Sequence, residues 1–236
     1  MNIPFKKEIK RLLDENDEWV EETYDIFNKN SKYFINLVPR PRSSSKRTDN
    51  ADKTLDLDEC FVYWCLIRKY KLKNILELGT RFGTSTRVIR CAQRTFFPDS
   101  QTKLYSCDVN KEYRYIHPDE FEFIHRDAKG LFPHFLKENQ IDCIHNDAHP
   151  YDLIKLSTQA AIDTKIKIMT YHDVSRPEDH PRGSCIKNSF FLSEKEKLEI
   201  NSNLPFSGIA DYGHWERHVI CELFSKELLE NNFVET

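Results

Sequence analysis

A short apolar run followed by a glycine-bounded turn constrains the fold of this chain more than any other stretch. Residues 75–78 are apolar apart from Glu77, and the turn that follows carries Gly79 and Gly83. Residues 85–94 then have the pattern of a helix. In α/β proteins, a strand, a tight glycine loop and a helix N-terminus present backbone N–H groups to a nucleotide-like ligand. The Gly-x-x-x-Gly spacing differs from the Gly-x-Gly-x-x-Gly of dinucleotide binders, which disfavours a nicotinamide-dependent dehydrogenase.

Length and composition limit the class of protein. The chain has 236 residues, with 39% hydrophobic and 12% aromatic residues, which predicts one folded domain of ordinary size. Its net charge of −3 gives no general attraction to nucleic acid. There is no run of about 18 apolar residues to predict a membrane span, and the first residues lack the apolar core of a secretion signal. Seven cysteines without a Cys-x-x-Cys pair predict reduced thiols, not structural zinc, in a cytoplasmic protein.

The N-terminal part of the chain has a pattern of its own. Residues 5–36 place apolar side chains three and four positions apart, which predicts one or two polar helices. The apolar stripe within residues 9–27 could pack against another subunit and give a homo-oligomer. Residues 39–53 consist mainly of prolines, serines and charged groups, with five basic and two acidic residues. We interpret them either as an exposed linker or as a lid over an anionic substrate.

Helix-like and strand-like stretches alternate through the middle of the chain. Helices are predicted at 55–70, 84–93 and 151–162, and strands at 75–78, 104–108, 121–125, 141–145 and 166–172. This alternation predicts a parallel sheet with helices on both faces. In the tail, a helix is predicted at 193–200, and residues 207–212 and 219–224 are interpreted as an antiparallel pair of strands. We therefore predict a helical N-terminal segment over residues 1–55, with the linker or lid at 39–53, and a second unit over residues 56–236.

Polar residues follow several of the predicted strands, and ligands of open parallel sheets bind at these carboxyl ends. Gly79 is expected to let the backbone turn sharply, and Gly83 to let it approach a ligand with no Cβ in the way. Glu77 is a carboxylate in an apolar strand, which is costly unless it has hydrogen-bonding partners. Asp108 ends the second strand and could accept two hydrogen bonds from a ribose diol. The alternative for Asp108 is a helix cap or turn former.

With Glu77 two residues before Gly79, this stretch resembles the first motif of class I S-adenosylmethionine-dependent methyltransferases, Glu/Asp-x-Gly-x-x-x-Gly. The resemblance extends from about residue 57 to 225. It implies a Rossmann-like three-layer α/β/α sandwich, whose mostly parallel seven-stranded sheet ends in an antiparallel C-terminal hairpin. It also implies that Glu77 supports the loop and the methionine end of the cofactor, S-adenosyl-L-methionine. The cofactor-binding residues implied are Glu77, Gly79, Thr80, Gly83, Ser85, Asp108, Asp127, Ala128 and Asp147.

The stretch 141–152 is similar to the Ile-Asp-Gly-Asp-His-Ser-Tyr-Glu motif of a subgroup that includes sugar and macrolide-sugar O-methyltransferases. Residues 169–174 are similar to the acid pair of that subgroup. In the subgroup the acids hold magnesium and the histidine is the proposed general base. The resemblance therefore implies His149 as the catalytic base and Asp147, His172 and Asp173 as metal ligands.

Two departures affect the metal prediction. Asn146 stands where the subgroup has its first acid, and His172 replaces the first acid of the pair. Magnesium prefers hard oxygen ligands, so a set with histidine would suit manganese, iron or zinc better. The alternative is that no metal binds and these groups only position the acceptor. For His149 the alternative is a strand-end histidine that caps the following helix.

The function implied is an S-adenosylmethionine-dependent O-methyltransferase that acts on a hydroxyl of a small molecule, such as a sugar or a glycosylated metabolite. Two other functions stay open. One is a methyltransferase fold that binds the cofactor without catalysis, and the departures at Asn146 and His172 keep it open. The other is a nucleic-acid methyltransferase, which the acidic net charge and the absence of an Asn/Asp-Pro-Pro-Tyr/Phe motif disfavour. The sequence does not identify the acceptor, because loops and the N-terminal segment build acceptor pockets.

Overall fold

One mostly parallel sheet forms the centre of the computed structural model, which describes residues 6–34, 57–148, 151–166, 168–171 and 219–221. The strands are β1 (Asn74–Leu78), β2 (Lys103–Asp108), β3 (Glu122–His125), β4 (Cys143–Asn146), β5 (Ile168–Tyr171) and β6 (Val219–Cys221). The α-helices are α1 (Lys6–Leu13), α2 (Asp17–Ser31), α3 (Leu57–Tyr70), α4 (Thr84–Phe96), α5 (His134–Glu138) and α6 (Tyr151–Asp163). Two short 3-10 helices span Pro118–Glu120 and Ala128–Leu131.

The order of the strands places a crevice at the carboxyl end of β1. The order is β3-β2-β1-β4-β5-β6; the first five strands are parallel, and β6 is antiparallel to β5. From β1 the chain first runs outward to β2 and β3 and then crosses to β4 on the other side. Ligands of open α/β sheets bind where the strand order reverses in this way. The prediction of a Rossmann-like α/β fold is confirmed.

One strand of the predicted C-terminal hairpin is described, and the hairpin itself is not supported. The strand predicted at 219–224 is present as β6, Val219–Cys221, and it pairs with β5. The other predicted strand, residues 207–212, and the helix predicted at 193–200 lie outside the described residues. Six strands are therefore described, against the seven predicted. Within the described part of the chain, no helix is long and apolar enough to cross a membrane.

The two faces of the sheet bury separate apolar clusters. Ile75, Cys143 and Ile168 face the layer of α1 to α4 and pack with side chains such as Trp64. Leu76, Ile144 and Met169, each one position later in its strand, face the opposite layer and pack with Leu153, Ala160 and Ala161 of α6. This alternation follows from the two-residue period of a strand. It produces the predicted three-layer arrangement.

The N-terminal helices belong to the first of these clusters. Ile9, Leu13, Val20 and Phe27 are each at most 1% exposed and pack in the same core as Trp64 of α3. Their apolar stripe was considered as a surface for another subunit, but α3 already covers these four side chains within the chain. A homo-oligomer through the N-terminal helices stays a prediction.

Polar contacts fix α2 on α3. Arg68 donates to Oγ1 of Thr23 at 2.6 Å and to the carbonyl of Trp19 at 3.3 Å, and its guanidinium lies 4.9 Å from the centre of the Trp19 ring. The first turn of α2 is capped by Asn16, whose side chain accepts from the Trp19 N–H at 2.8 Å. These contacts place helices from residues 6–31 and the sheet domain in one core.

Candidate functional site

The glycine loop between β1 and α4 is shaped by a close approach of two chain segments. Gly79 has a φ of +95°, and a Cβ there would lie 2.9 Å from the carbonyl carbon of Asp147 and 3.1 Å from the amide nitrogen of Ala148. Gly79 donates its N–H to the carbonyl of Cys107 at 2.9 Å. Asp147 donates its N–H to the carbonyl of Leu78 at 2.8 Å. The glycine thus lets the ends of β1 and β4 meet, and it brings Gly79 and Asp147 together as predicted site residues.

The backbone conformation and the surroundings of Gly83 require a glycine at this position. It is the N-cap of α4 with a φ of +84°, a conformation that side chains other than glycine rarely adopt. A Cβ at this position would lie 2.9 Å from Cγ2 of Ile116. The space that a Cβ of Gly83 would need is therefore filled by Ile116. A role for the backbone of Gly83 in binding stays a prediction.

A closed hydrogen-bond network holds the loop from inside. Glu77 is 0% exposed and accepts hydrogen bonds from the hydroxyls of Ser85, Thr86 and Ser106. The Thr86 contact is 2.5 Å, and the hydroxyls of Thr80 and Ser106 also lie 2.5 Å apart. Glu77 therefore has the partners that a buried carboxylate needs. Among the predicted cofactor residues, the side chains of Glu77, Thr80 and Ser85 join β1, β2 and α4 from inside.

Burial also changes the acid–base behaviour of Glu77. Removal of the carboxylate from water raises the pKa of Glu77 to about 7, because the charged form is disfavoured in the interior. The hydroxyl donors oppose this by stabilising the charged form, and the nearby charge of Asp147 adds to the increase. Glu77 is therefore a buried group that changes its charge close to neutral pH.

Asp108 has the turn-forming role considered for it, and its contact with a ribose stays a prediction. Its carboxylate accepts from the backbone N–H of Arg81 at 2.7 Å and from that of Asn110 at 2.9 Å, so it does act as a turn former. The side chain is only half-buried at the end of β2. Because each carboxylate oxygen can accept more than one hydrogen bond, Asp108 retains acceptor capacity toward the crevice. The Arg81 contact fixes it beside the glycine loop.

Asp127 and Ala128 lie farther along the same edge, at the end of β3. The Asp127 side chain accepts from the Lys129 N–H at 2.9 Å and caps the short helix Ala128–Leu131. Asp127 is exposed, whereas Ala128 is only 6% exposed and packs in the core that faces α6. A contact of this pair with an adenine would therefore use Asp127 or the backbone.

The Asn146 side chain points into the interior, where its amide donates one hydrogen bond and accepts another. Its Nδ2 donates to Oγ of Ser157 at 3.0 Å, and its Oδ1 accepts from the Ala148 N–H at 3.1 Å. Asn146 is 2% exposed, whereas Asp147 is only partly buried. Of the predicted catalytic and metal-binding residues, His149, His172 and Asp173 lie outside the described residues. Within the described ranges, no group of three His, Cys, Asp or Glu side chains could hold a metal ion.

Sequence reasoning missed a second buried polar cluster. Nδ1 of His145 lies 2.7 Å from Oη of Tyr63 and 3.0 Å from Oγ1 of Thr170, and all three residues are at most 4% exposed. A histidine within the apolar strand around residues 143–146 was the available signal. Its partner Tyr63 is 82 residues away in sequence, so the pairing could not be predicted.

No protein-family model matches the sequence, and no curated protein matches it either. The chain is similar to the crystal structure of the S-adenosylhomocysteine-bound methyltransferase PaMTH1 of Podospora anserina, at 16% identity over 80% of this chain and 77% of that one, with a TM-score of 0.45. It is similar to an O-methyltransferase of Bacillus cereus in complex with S-adenosylhomocysteine, at 16% identity over 72% and 73% of the two chains, with a TM-score of 0.41.

A third similar structure is the MycE methyltransferase of the mycinamycin biosynthetic pathway, in complex with Mg and S-adenosylhomocysteine. Its identity is 15% over 63% of this chain and 36% of that one, with a TM-score of 0.41. Identities and TM-scores this low decide neither the fold nor the function. The fold therefore rests on the sheet order described above, and the function rests on the residues at its carboxyl edge.

Proposed function

We propose that the protein is an S-adenosylmethionine-dependent methyltransferase. The observation that carries this proposal is the place of the glycine loop. It lies at the carboxyl end of β1, where the strand order reverses, with Asp108 on the β2 side and Asp147 on the β4 side. A crevice at this point is where open α/β sheets bind ligands.

The described residues fit a cofactor that combines a ribose with a positively charged sulfonium group. Asp108 would hold the ribose hydroxyls through its remaining acceptor capacity. The loop backbone from Gly79 to Gly83 would face the methionine end, supported from inside by Glu77. The carboxylates of Asp108 and Asp147 favour positive charge at this edge of the sheet. When bound, S-adenosylmethionine would supply a methyl group that its sulfonium charge has already activated.

The finer proposal is O-methylation of a small molecule, with a hydroxyl of a sugar or glycosylated metabolite as the acceptor. The similarity of residues 141–152 to the sugar O-methyltransferase motif supports it. The chain must align the acceptor oxygen and remove its proton as the oxygen forms its bond to the methyl carbon. We assign removal of the acceptor hydroxyl's proton to His149, because an imidazole titrates near neutral pH and can act as a general base there.

A divalent metal is a separate part of the proposal, with Asp147, His172 and Asp173 as its ligands. Asn146 fits poorly as a ligand, because it is an amide where a carboxylate is preferred, and it is only 2% exposed. The remaining set contains an imidazole and would suit manganese better than magnesium. No step of the proposed reaction requires the metal. We also propose that residues 207–212 complete a seven-stranded sheet beside β6, because their sequence pattern predicts a strand.

The two alternative functions would give different experimental results. A cofactor-binding protein without catalysis would bind S-adenosylmethionine and transfer no methyl group to any hydroxylated acceptor. A nucleic-acid methyltransferase would bind RNA or DNA with an affinity that falls steeply with salt. The net charge of −3 argues against the second.

The proposal is tested by binding and turnover measured on the same variants. Calorimetry should show binding of S-adenosylmethionine and S-adenosylhomocysteine, and its absence at millimolar concentration would overturn the assignment. With an acceptor found by screening hydroxylated metabolites for S-adenosylhomocysteine release, His149→Ala should lower kcat by about 10²-fold, a typical general-base contribution. The cofactor Kd should not change in this variant.

His134→Ala is the matched control, because His134 is an exposed histidine on α5. It should leave both kcat and the cofactor Kd unchanged. Near-normal turnover in His149→Ala would remove His149 from the mechanism and leave the cofactor assignment standing.

A further inference from the structure

A row of buried polar side chains crosses the sheet directly beneath the carboxyl edge. Ser106, Glu77, His145 and Thr170 are register partners on the adjacent strands β2, β1, β4 and β5. Each is at most 1% exposed. Register partners in a parallel sheet project from the same face, and here that face is the one covered by α3 and α4. The Glu77 part of the row supports the glycine loop, whereas the proposed reaction does not use the His145 part.

The His145 part is a hydrogen-bonded cluster between three elements. Nδ1 of His145 lies 2.7 Å from Oη of Tyr63 on α3 and 3.0 Å from Oγ1 of Thr170 on β5. The Tyr63 and His145 rings meet edge to face, with 5.0 Å between their centres. Buried polar groups are costly unless they are bonded to one another, and a bonded network in the interior fixes one arrangement of its members. The cluster therefore holds the ends of β4 and β5 against α3.

The cluster lies next to the parts of the chain that carry the proposed acceptor groups. His145 is the next-to-last residue of β4, two positions before Asp147 and four before His149. Thr170 is the next-to-last residue of β5, two positions before His172. A shift of either strand end would displace the residues that follow it. The glycine loop, in contrast, is held by the separate network around Glu77.

We propose that Tyr63, His145 and Thr170 form a positioning cluster that fixes the acceptor side of the proposed methyltransferase site. This inference rests on the proposed function. The three residues act through the backbone of β4 and β5 and do not themselves react. Loss of a hydrogen bond in the cluster should therefore lower kcat by a larger factor than it weakens the affinity for S-adenosylmethionine, because Asp147 is the one proposed cofactor-binding residue at the end of β4.

A matched pair of substitutions at Thr170 separates hydrogen bonding from packing. Thr170→Val keeps the shape of the side chain and removes the hydroxyl, whereas Thr170→Ser keeps the hydroxyl and removes a methyl group. Thr170→Val should lower kcat about tenfold, the factor that corresponds to one net hydrogen bond. Thr170→Ser should stay within about twofold of the wild type. The reverse order, with Val active and Ser impaired, would show a packing role and overturn the proposal.

Tyr63→Phe tests the cluster from its other end. It removes one hydroxyl and keeps the ring that packs on His145. It should lower kcat about as much as Thr170→Val, with the S-adenosylmethionine Kd by calorimetry within about twofold of the wild type. An unchanged kcat in both variants would overturn the proposal. So would a parallel loss of cofactor affinity, because the cluster would then support the whole site.

Amide hydrogen exchange tests the positioning cluster independently of the proposed function, because it needs neither cofactor binding nor turnover. If the wild type fails to bind S-adenosylmethionine, the proposed function fails, and the cluster is judged by exchange in Tyr63→Phe alone. Faster exchange at residues 145–148, with exchange at residues 79–83 unchanged, would support selective positioning of the β4 end. Equal changes at both stretches, or no change at either, would overturn it.

Discussion

The two halves of the sheet's carboxyl edge are held in different ways. In the β1–β2 half, Glu77 bonds to Ser85 and Thr86, which are eight and nine residues away, and to Ser106 at 29 residues. In the β4–β5 half, His145 bonds to Tyr63, which is 82 residues away and lies on α3. The first half is thus built largely from one local β–loop–α unit. The second depends on how a distant helix packs on the sheet.

The two halves also differ in charge. Glu77 is a buried carboxylate stabilised by three hydroxyl donors. The end of β4 has an amide in the interior instead, since Asn146 bonds to Ser157 and to the Ala148 N–H. Protonation of Glu77 near neutral pH therefore directly affects the hydrogen bonds that support the glycine loop. This difference indicates that loop support and strand-end support can be changed separately.

The largest expected effect comes from the point where the two halves touch. Gly79→Ala combines a φ of +95° with a Cβ placed 2.9 Å from the Asp147 backbone, which cannot move aside like a side chain. Strain and overpacking together should lower the free energy of unfolding by about 4 kcal/mol. Urea denaturation at one pH measures it.

Gly83→Ala is the matched comparison for this prediction. It has a similar φ of +84°, but its Cβ meets a side-chain methyl, Cγ2 of Ile116, whereas a Cβ at Gly79 meets backbone atoms. We expect a loss of about half that of Gly79→Ala. Equal losses would mean that the backbone conformation alone sets the cost, and that the contact between β1 and β4 contributes little.

Much of the β1–β2 half could be predicted from the sequence, because most of its contacts join residues that are close in sequence. The apolar run 75–78 predicts that Glu77 needs partners, and the resemblance of the glycine motif implies that Glu77 supports the loop. Two of its partners, Ser85 and Thr86, lie within nine residues of it. The alternation of strands and helices predicted the parallel sheet, because a crossover helix joins parallel strands. The ends of the five parallel strands were accurate to within two residues.

The remaining features depend on packing between distant elements. The contact of Gly83 with Ile116 and the bond of Asn146 to Ser157 carry no local signal. The same holds for Tyr63 and His145. Helix α5 has only five residues, too few to show a helical period. The stripe of residues 9–27 was correctly predicted as helical, but only the fold shows that α3 covers it.

A second prediction concerns the charge that distinguishes the β1–β2 half. The pKa of Glu77 is about 7 in the folded chain and near the ordinary 4.5 in the unfolded one. Between these values the folded state keeps a proton that the unfolded state has lost, so the free energy of unfolding falls as pH rises through this window. The contribution is fully present below pH 4.5 and lost above pH 7, and it amounts to about 3 kcal/mol.

Glu77→Gln isolates this contribution from all other titrating groups. The difference in unfolding free energy between the variant and the wild type should increase in favour of the variant by about 3 kcal/mol from pH 4.5 to pH 8. Glu138→Gln, an exposed carboxylate on α5, is the control for loss of one charge. A difference that does not vary with pH in Glu77→Gln would mean that the buried carboxylate stays ionised throughout.

The smallest expected effect lies at the opposite edge of the sheet, where one residue joins both halves. Oδ2 of Asp142 accepts from the N–H groups of Lys73 and Asn74 at 3.0 and 3.1 Å, and so ties the start of β1 to the start of β4. Asp142→Ala should cost about 1.5 kcal/mol in urea denaturation, the lower end of the range for hydrogen bonds to a charged group, because the Lys73 contact is exposed. Asp142→Asn keeps an acceptor oxygen and should cost less. Because this edge lies far from the glycine loop, the S-adenosylmethionine Kd should not change in either variant. A weakened Kd would mean that the amino edge transmits strain through β1, and that the two halves are not independent.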